Sequence, residues 1–357
     1  MQVSVSPRDA LWDAPFHLRV TGLEPRARVE IAATAAATQG PPWVGTIDAR
    51  ADARGDVDLA HARLPAVLRP PRRGKIARPT GAITVTVDGA STHVQRRVLA
   101  RSVVVRHLRF GRTGLYGDWL HARGARRRTA LLVLGGSDGG LPAGPHTTLL
   151  ASHGYPVLRL AYFGVGGLPP TLERIPLEYF RRALLWLRMQ PEVDPSRVVV
   201  FGVSRGGELA LLLGSTYPEL VDAVAAYVPS SVVVSSPLGT GVAAWTLRGH
   251  DVRPGPIPVE RIDGPVLVVG AVEDALWPSS TSVDQIERRL RRHGHNDVTA
   301  LQYAHAGHAV GVAVPNIATT TKIRSRYGEL YLGGSPAADE SARERSWPKL
   351  LRFLARI

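Results

Sequence analysis

The stretch from Val198-Val199-Val200-Phe201 through Gly202-Val203-Ser204-Arg205-Gly206-Gly207 to Glu208-Leu209-Ala210-Leu211-Leu212-Leu213 constrains the fold more than any other part of the chain. The apolar run, rich in β-branched residues, predicts a buried strand, and the run from Glu208 predicts a helix packed on it. The chain must reverse sharply between the two. Positions two before and two after Ser204 therefore have to be small where strand and helix crowd together, and Gly202 and Gly206 meet that need. The same turn places Ser204 at a helix N-terminus, where unpaired backbone N–H groups and the positive dipole end favour developing negative charge. With 36 Gly in 357 residues, the spacing alone arises by chance at on the order of one serine in 100. The strand and helix on either side carry the argument.

The rest of the chain falls into two rhythms. The first hundred residues hold short alternating segments separated by turn residues, including Phe16-His17-Leu18-Arg19-Val20, Arg28-Val29-Glu30-Ile31 and Ala82-Ile83-Thr84-Val85-Thr86-Val87. This period of two predicts a small antiparallel sandwich over residues 1–103, with Asp88-Gly89 as a hairpin turn and Arg69-Pro70-Pro71-Arg72-Arg73-Gly74 as an internal loop. Over residues 104–357, apolar runs alternate with helical patterns, as expected of buried parallel strands joined by crossover helices. The expected strands are Ala130 to Leu134, Pro156 to Leu160, Val198 to Phe201, Ala223 to Val228, Pro265 to Val269 and Thr299 to Tyr303. Helical spacing links Leu177, Phe180, Leu184 and Leu187, then Ile286 and Leu290, then Trp347, Leu351 and Leu354, with Gly333-Gly334-Ser335-Pro336 a loop before the last helix.

Composition narrows the chemistry. With 44% hydrophobic and 21% charged residues the chain is globular in character, and Cys 0 excludes disulfides, cysteine-ligated metals and cysteine nucleophiles. No apolar run approaches the roughly 18 residues of a membrane span, and the N-terminus lacks the basic-then-apolar order of a signal peptide, so a soluble cytoplasmic protein is expected. The net charge of +14 rests almost wholly on Arg, since the lysines are Lys75, Lys322 and Lys349. That charge suits an anionic partner. Nucleic acid is not the expected one, because no basic stretch exceeds Arg126-Arg127-Arg128 and aromatics are only 6%.

Gly202-Val203-Ser204-Arg205-Gly206 in its strand–turn–helix setting is the G-x-S-x-G nucleophile elbow of the α/β-hydrolase plan, in which an acid and then a histidine follow the serine along the chain. Asp274 lies just past the strand Pro265-Val266-Leu267-Val268-Val269, and Glu273 is its rival. His308 follows the last strand in Tyr303-Ala304-His305-Ala306-Gly307-His308, with His305 the competing base. The loop Gly135-Gly136-Ser137-Asp138-Gly139-Gly140, after the strand ending at Leu134, is the expected partner of the elbow in an oxyanion hole. Its donors would be an amide near Ser137 or Asp138 together with the amide of Arg205. Neither a phosphate-binding G-x-x-x-x-G-K-[ST] nor a strand–G-x-G-x-x-G–helix is present.

Taken with these motifs, Tyr162-Phe163 followed by Leu168-Pro169, the run Pro176-Leu177-Glu178-Tyr179-Phe180, Gly-Gly-Glu-Leu over Gly206 to Leu209, Asp274 three residues before Trp277, and Gly307-His308 resemble the acyl-CoA thioesterase and bile acid-CoA:amino acid N-acyltransferase family. The resemblance runs over nearly the whole chain. It implies an immunoglobulin-like N-terminal domain and an α/β-hydrolase domain with Ser204, Asp274 and His308 as the triad. Members that conjugate acyl groups to amino acids carry cysteine as nucleophile, whereas the thioesterases carry serine, so Ser204 points to hydrolysis of an acyl-CoA. Transfer to an amine or alcohol, and cleavage of a plain ester, remain chemically open to the same residues. Arg205 stands where the family often has lysine, and the stretch from Ser235 to Pro258, with Trp245, is expected to wall the acyl pocket. An Arg-rich surface suits the CoA phosphates. No metal or organic cofactor is called for.

Overall fold

The computed structural model describes residues 1–37, 40–60, 62, 67–69, 79–142, 144–237, 240–317, 319–325 and 328–357. Most of the expected loop at Arg69–Gly74, from Pro70 on, lies outside the described residues. By contacts the chain divides into one unit of Met1–Ala100 with Val314–Ala318 and another of Arg101–Ala313 with Thr319–Ile357. The expected boundary after residue 103 thus falls within a strand of the second unit, and a short late segment belongs to the first. In that first unit the Trp12 indole N–H donates to the Asn316 carbonyl at 2.8 Å.

The first unit is built of two sheets. Strands Gln2–Ser6, His17–Thr21 and Val57–Leu59 form one, and Asp9–Leu11, Ala90–Arg97, Pro79–Val87, Arg28–Ala37 and Trp43–Arg50 form the other. Alternation explains the packing: Val29, Ile31, Ala33 and Ala35 point inward along one strand and share a core with Val3, Val5, Leu18 and Val20 of the facing sheet. Asp88 and Gly89 both take positive φ, 43° and 84°, and close the hairpin in which Val87 pairs with Ala90. This is the backbone that a two-residue turn needs.

The second unit is an eight-stranded sheet with crossover helices. Its strands are β1 (Val103–Phe110), β2 (Leu115–Ala122), β3 (Arg128–Leu134), β4 (Val157–Leu160), β5 (Val193–Val203), β6 (Ala223–Tyr227), β7 (Val266–Ala271) and β8 (Val298–Tyr303). They lie in the order β1-β2-β4-β3-β5-β6-β7-β8. β2 runs antiparallel to both β1 and β4, and the other neighbours are parallel. The helices are α1 (His146–Ser152), α2 (Leu177–Arg188), α3 (Arg205–Thr216), α4 (Ser279–Arg292) and α5 (Pro336–Arg356). Strands β3, β6 and β7 and the Val198–Gly202 part of β5 are buried on both faces, which is why they read as unbroken apolar runs. Every residue of α3 from Arg205 to Ser215 is buried, making it the central helix. In α5 the core residues are Trp347, Leu350, Phe353 and Leu354, while Leu351, expected inside, is half-buried. Among the described residues, no helix is long and apolar enough to cross a membrane.

The antiparallel edge is stapled by one carboxylate. Asp118 on β2 lies in register with His107 on β1 and Arg159 on β4, and its buried side chain takes His107 Nδ1 at 2.7 Å, Arg109 at 3.0 Å and Arg159 at 2.6 and 2.9 Å. Burial alone would raise the Asp118 pKa, but these three partners together hold its carboxyl below the usual range. Asp118→Ala leaves Arg159 facing a buried gap. The expected loss is about 2–3 kcal/mol, below that of a fully buried pair because His107 and Arg109 are partly solvated. Urea denaturation measures it directly, and an unchanged midpoint would remove the staple from this account.

Candidate active site

The elbow forms where sequence analysis places it. Ser204 sits between β5 and α3 with φ 60° and ψ −122°, a left-handed conformation costly for any side chain and tolerated only when the surroundings enforce it. A Cβ on Gly202 would stand 1.8 Å from the Gly206 carbonyl oxygen, and one on Gly206 would stand 2.4 Å from the Leu134 carbonyl oxygen. Only glycine fits at either place. The Ser204 amide donates to Tyr227 O at 2.9 Å, and the amides of Gly207 and Glu208 donate to Ser204 O at 2.8 and 3.1 Å. Strand β6 and the first turn of α3 thus pin the serine from both sides. Arg205 occupies the first position of the helix, where a backbone N–H lies outside the intrahelical ladder.

The loop after β3 passes against the serine. A methyl group added to Gly136 would lie 3.3 Å from Ser204 Cβ and 3.6 Å from its Oγ, so the loop backbone lines Ser204 at Gly136. Ser137 and Asp138, the residues singled out by sequence, form the turn that follows. The buried Tyr162 hydroxyl donates to Gly135 O at 2.7 Å, and the Gly140 amide donates to Phe163 O at 2.8 Å. Tyr162-Phe163 therefore fixes the course of this loop.

Asp274 and His308 are brought together by the loops that follow β7 and β8. His308 Nδ1 lies 2.8 and 3.0 Å from the two Asp274 carboxylate oxygens. The Asp274 side chain is inaccessible to solvent and that of His308 is 10% exposed. The amides of Leu276 and Trp277 donate to Asp274 Oδ1 at 3.0 and 3.4 Å, and the Trp277 ring stands edge-on to His308 with centroids 5.9 Å apart. These contacts leave the imidazole one orientation, with Nδ1 turned to the acid. His308 opens a short 3₁₀ segment, His308–Val312, in which a Cβ on Gly311 would meet Val203 Cγ1 at 2.6 Å. That segment packs on the residue preceding Ser204. The rivals are also accounted for: Glu273 and His305 pair with each other at 2.8 Å on the surface, with side chains 48% and 81% exposed.

Two supports escaped sequence analysis. Gly333-Gly334, read there simply as a loop, wedges between the acid and histidine loops. A Cβ on Gly333 (φ 75°) would stand 1.8 Å from Glu273 O, and one on Gly334 would stand 2.2 Å from Gly307 N. Leu332 O accepts the His308 amide at 2.8 Å. Asp339 on α5, fully buried, accepts the Gly307 amide at 2.7 Å, and burial raises its carboxyl above the usual range. The only signal in the sequence was an unusual Gly-Gly before a helix.

The Arg205 side chain is spent internally. It donates to Glu208 Oε2 at 2.8 Å and to Val234 O at 2.8 Å, while the Trp245 indole N–H donates to Glu208 Oε1 at 2.9 Å. Trp245, expected in a pocket wall, is fully buried against Tyr162 and Phe180 and ties the excursion between β6 and β7 to the elbow helix. Burial pushes the Glu208 carboxyl up to about 7, against the opposing pull of Arg205 and Trp245.

Comparison with known proteins is consistent with this architecture. The family model described as BAAT / Acyl-CoA thioester hydrolase C terminal matches residues 175–241 and 242–357, more than half of the chain. The chain belongs to this family. Acyl-coenzyme A thioesterase 1 of Rattus norvegicus is 27% identical, spanning 96% of this chain and 93% of the relative. Acyl-coenzyme A amino acid N-acyltransferase 2 of the same species is 25% identical over 99% and 97%. Among solved structures, a protein described as a dienelactone hydrolase of Klebsiella pneumoniae superposes with a TM-score of 0.51 at 15% identity, covering 72% of this chain and 100% of its own. The fold is that of the α/β-hydrolases. The Gly-Gly-Glu-Leu run from Gly206 to Leu209 has a physical reason here, since Glu208 bridges Arg205 and Trp245.

Two outcomes follow for the elbow helix. Gly206→Ala drives a methyl group into the Leu134 carbonyl and is expected to abolish soluble, folded protein or cost more than about 3 kcal/mol. Because folded Glu208 holds its proton to higher pH than an unfolded glutamate does, its contribution favours the fold on the acid side and is lost as pH rises from the ordinary carboxylate range toward 7. Between about pH 5 and about pH 8, wild type should therefore lose stability relative to Glu208→Gln. Parallel pH curves in urea denaturation would contradict it.

Proposed function

We infer that the protein hydrolyses acyl-CoA thioesters through Ser204, His308 and Asp274. The observation that carries this reading is the buried His308–Asp274 pair, whose histidine opens the 3₁₀ segment that packs against Val203, next to Ser204. Membership of a family whose model is described as an acyl-CoA thioester hydrolase supports the substrate class.

In this reading Ser204 Oγ attacks the thioester carbonyl carbon while His308 Nε2 accepts the hydroxyl proton. The oxyanion receives N–H bonds from Arg205 and from the loop at Gly136 to Asp138, a preorganised arrangement that acts only as charge develops. Collapse breaks the carbon–sulfur bond, and the departing CoA sulfur takes the proton back from His308. Water then attacks the acyl-Ser204 ester with His308 again as base, releasing the free acid and restoring the serine. Asp274 holds the Nδ1–H tautomer throughout and stabilises the imidazolium. An oxygen ester is resolved readily by activated water, whereas a thioester intermediate stays reactive toward amines, which favours hydrolysis over transfer for a serine enzyme. The immunoglobulin-like assignment of the N-terminal unit rests on the family resemblance and is supported by its two sheets around one core.

Thiol release from a panel of acyl-CoAs tests the reading, and a chain without cysteine adds no background of its own. Ser204→Ala should lower kcat/KM at least about 10³-fold, and Asp274→Asn by on the order of 10³ to 10⁴. An acyl-amino acid formed with added glycine, with negligible free acid in its absence, would replace hydrolysis by transfer. Undiminished turnover in Ser204→Ala would overturn the assignment.

A further inference from the structure

A second feature of the α/β-hydrolase unit lies outside the triad. Between α4 and the ribbon that pairs Val232–Val233 with Gly255–Pro256 runs a cleft of about 600 Å³. Its apolar floor includes Ile257 and Ile286, both buried, and Ser231 closes one side with its hydroxyl donating to Gln285 Oε1 at 2.6 Å. Its rim is cationic. Arg289 is neutralised by Glu260 at 2.5 and 2.8 Å. Arg288 and Arg292 are not: both are exposed, and among the described residues neither makes an ion pair, Arg288 donating only to the Asp284 carbonyl within its own helix. They stand four residues apart, so they share one face of α4, and both line the same cleft.

We propose that this cleft binds the phosphorylated nucleotide end of the CoA thioester, an inference that rests on the acyl-CoA reading above. An apolar floor lined by two exposed guanidinium groups without an ion pair among the described residues fits a ligand that joins a planar base to phosphate groups. The cleft is also at a suitable remove from the chemistry. Ser231 follows closely on Val228, whose carbonyl accepts the Trp277 indole N–H at 2.9 Å, and Trp277 abuts His308. Helix α4 begins at Ser279 just after Trp277, and at about 1.5 Å per residue Arg288 lies ~14 Å further along it. CoA carries its phosphates at the far end of an extended arm from the reacting carbonyl, so the two ends of α4 match the two ends of the substrate.

Calorimetry with adenosine 3′,5′-bisphosphate, and kinetics with one acyl group presented either on CoA or on N-acetylcysteamine, which lacks the nucleotide, test the assignment. The double substitution Arg288→Gln and Arg292→Gln should weaken bisphosphate binding at least tenfold. It should also raise KM for the acyl-CoA by a similar factor at unchanged kcat, and leave the N-acetylcysteamine thioester unaffected. Arg291→Gln, which removes only the surface pair with Glu287, should change none of these. Equal effects on both thioesters, or no effect on either, would overturn the proposal. So would ATP binding as tightly as the bisphosphate with no change in KM, which would make the cleft a site for free nucleotides. Bisphosphate binding that depends on the two arginines in a protein that cleaves no thioester would sustain the cleft and count against the hydrolase reading alone.

Discussion

The turn at Ser204 is the constraint on which the site depends. A serine at φ 60° persists only because carbonyl oxygens of neighbouring elements leave no room for anything but glycine at positions 202 and 206, and because Tyr227 O holds its amide. Each of those oxygens belongs to a different part of the sheet or of the turn itself. Ser204 is thus positioned by the packing of β3, β5, β6 and α3, not by a local motif acting alone. The same crowding brings Gly136 against the serine and so joins the loop after β3 to the elbow.

Asp274 and His308 are held by each other and by the loops around them. Their loops converge from β7 and β8 and are locked by Gly333-Gly334 and by the Asp339 carboxylate on α5, so the last helix of the chain holds the histidine loop in place. A buried carboxylate facing a histidine that is nearly enclosed, with an aromatic ring at its edge, gives an imidazole with one orientation. Beside it, Glu273 and His305 offer the same two residue types at the surface, where solvent screens their interaction and no element fixes their geometry. Burial separates the His308–Asp274 pair from the solvent-exposed His305–Glu273 pair.

How far the sequence could be read follows from the range of each interaction. Strands β3, β5, β6 and β7 were legible because burial on both faces demands unbroken apolar runs, and α2 because its buried face repeats at helical spacing. Strands β1 and β2 were not. They lie at the antiparallel edge, where β1 is half-exposed and held by charged pairs through Asp118, a pattern with no clean period. The choice of His308 over His305, and of Asp274 over Glu273, was suggested by chain order and by family resemblance, and contact between His308 and Asp274 could not be seen from spacing alone. The roles of Gly333-Gly334, Asp339 and the Glu208–Trp245 bond were hidden because each joins residues far apart in sequence. Arg205 was identified for its backbone amide, while its side chain turned out to anchor the segment after β6.

In the proposed reaction Ser204 carries the acyl group during turnover. Rapid quenching of the enzyme with an isotopically labelled acyl-CoA, followed by proteolysis and mass spectrometry, tests it most directly. One labelled acyl group per chain is expected on the peptide containing Ser204, formed no more slowly than free acid is released. Sustained thioester cleavage with no adduct at Ser204, or with the label on another residue, would contradict it.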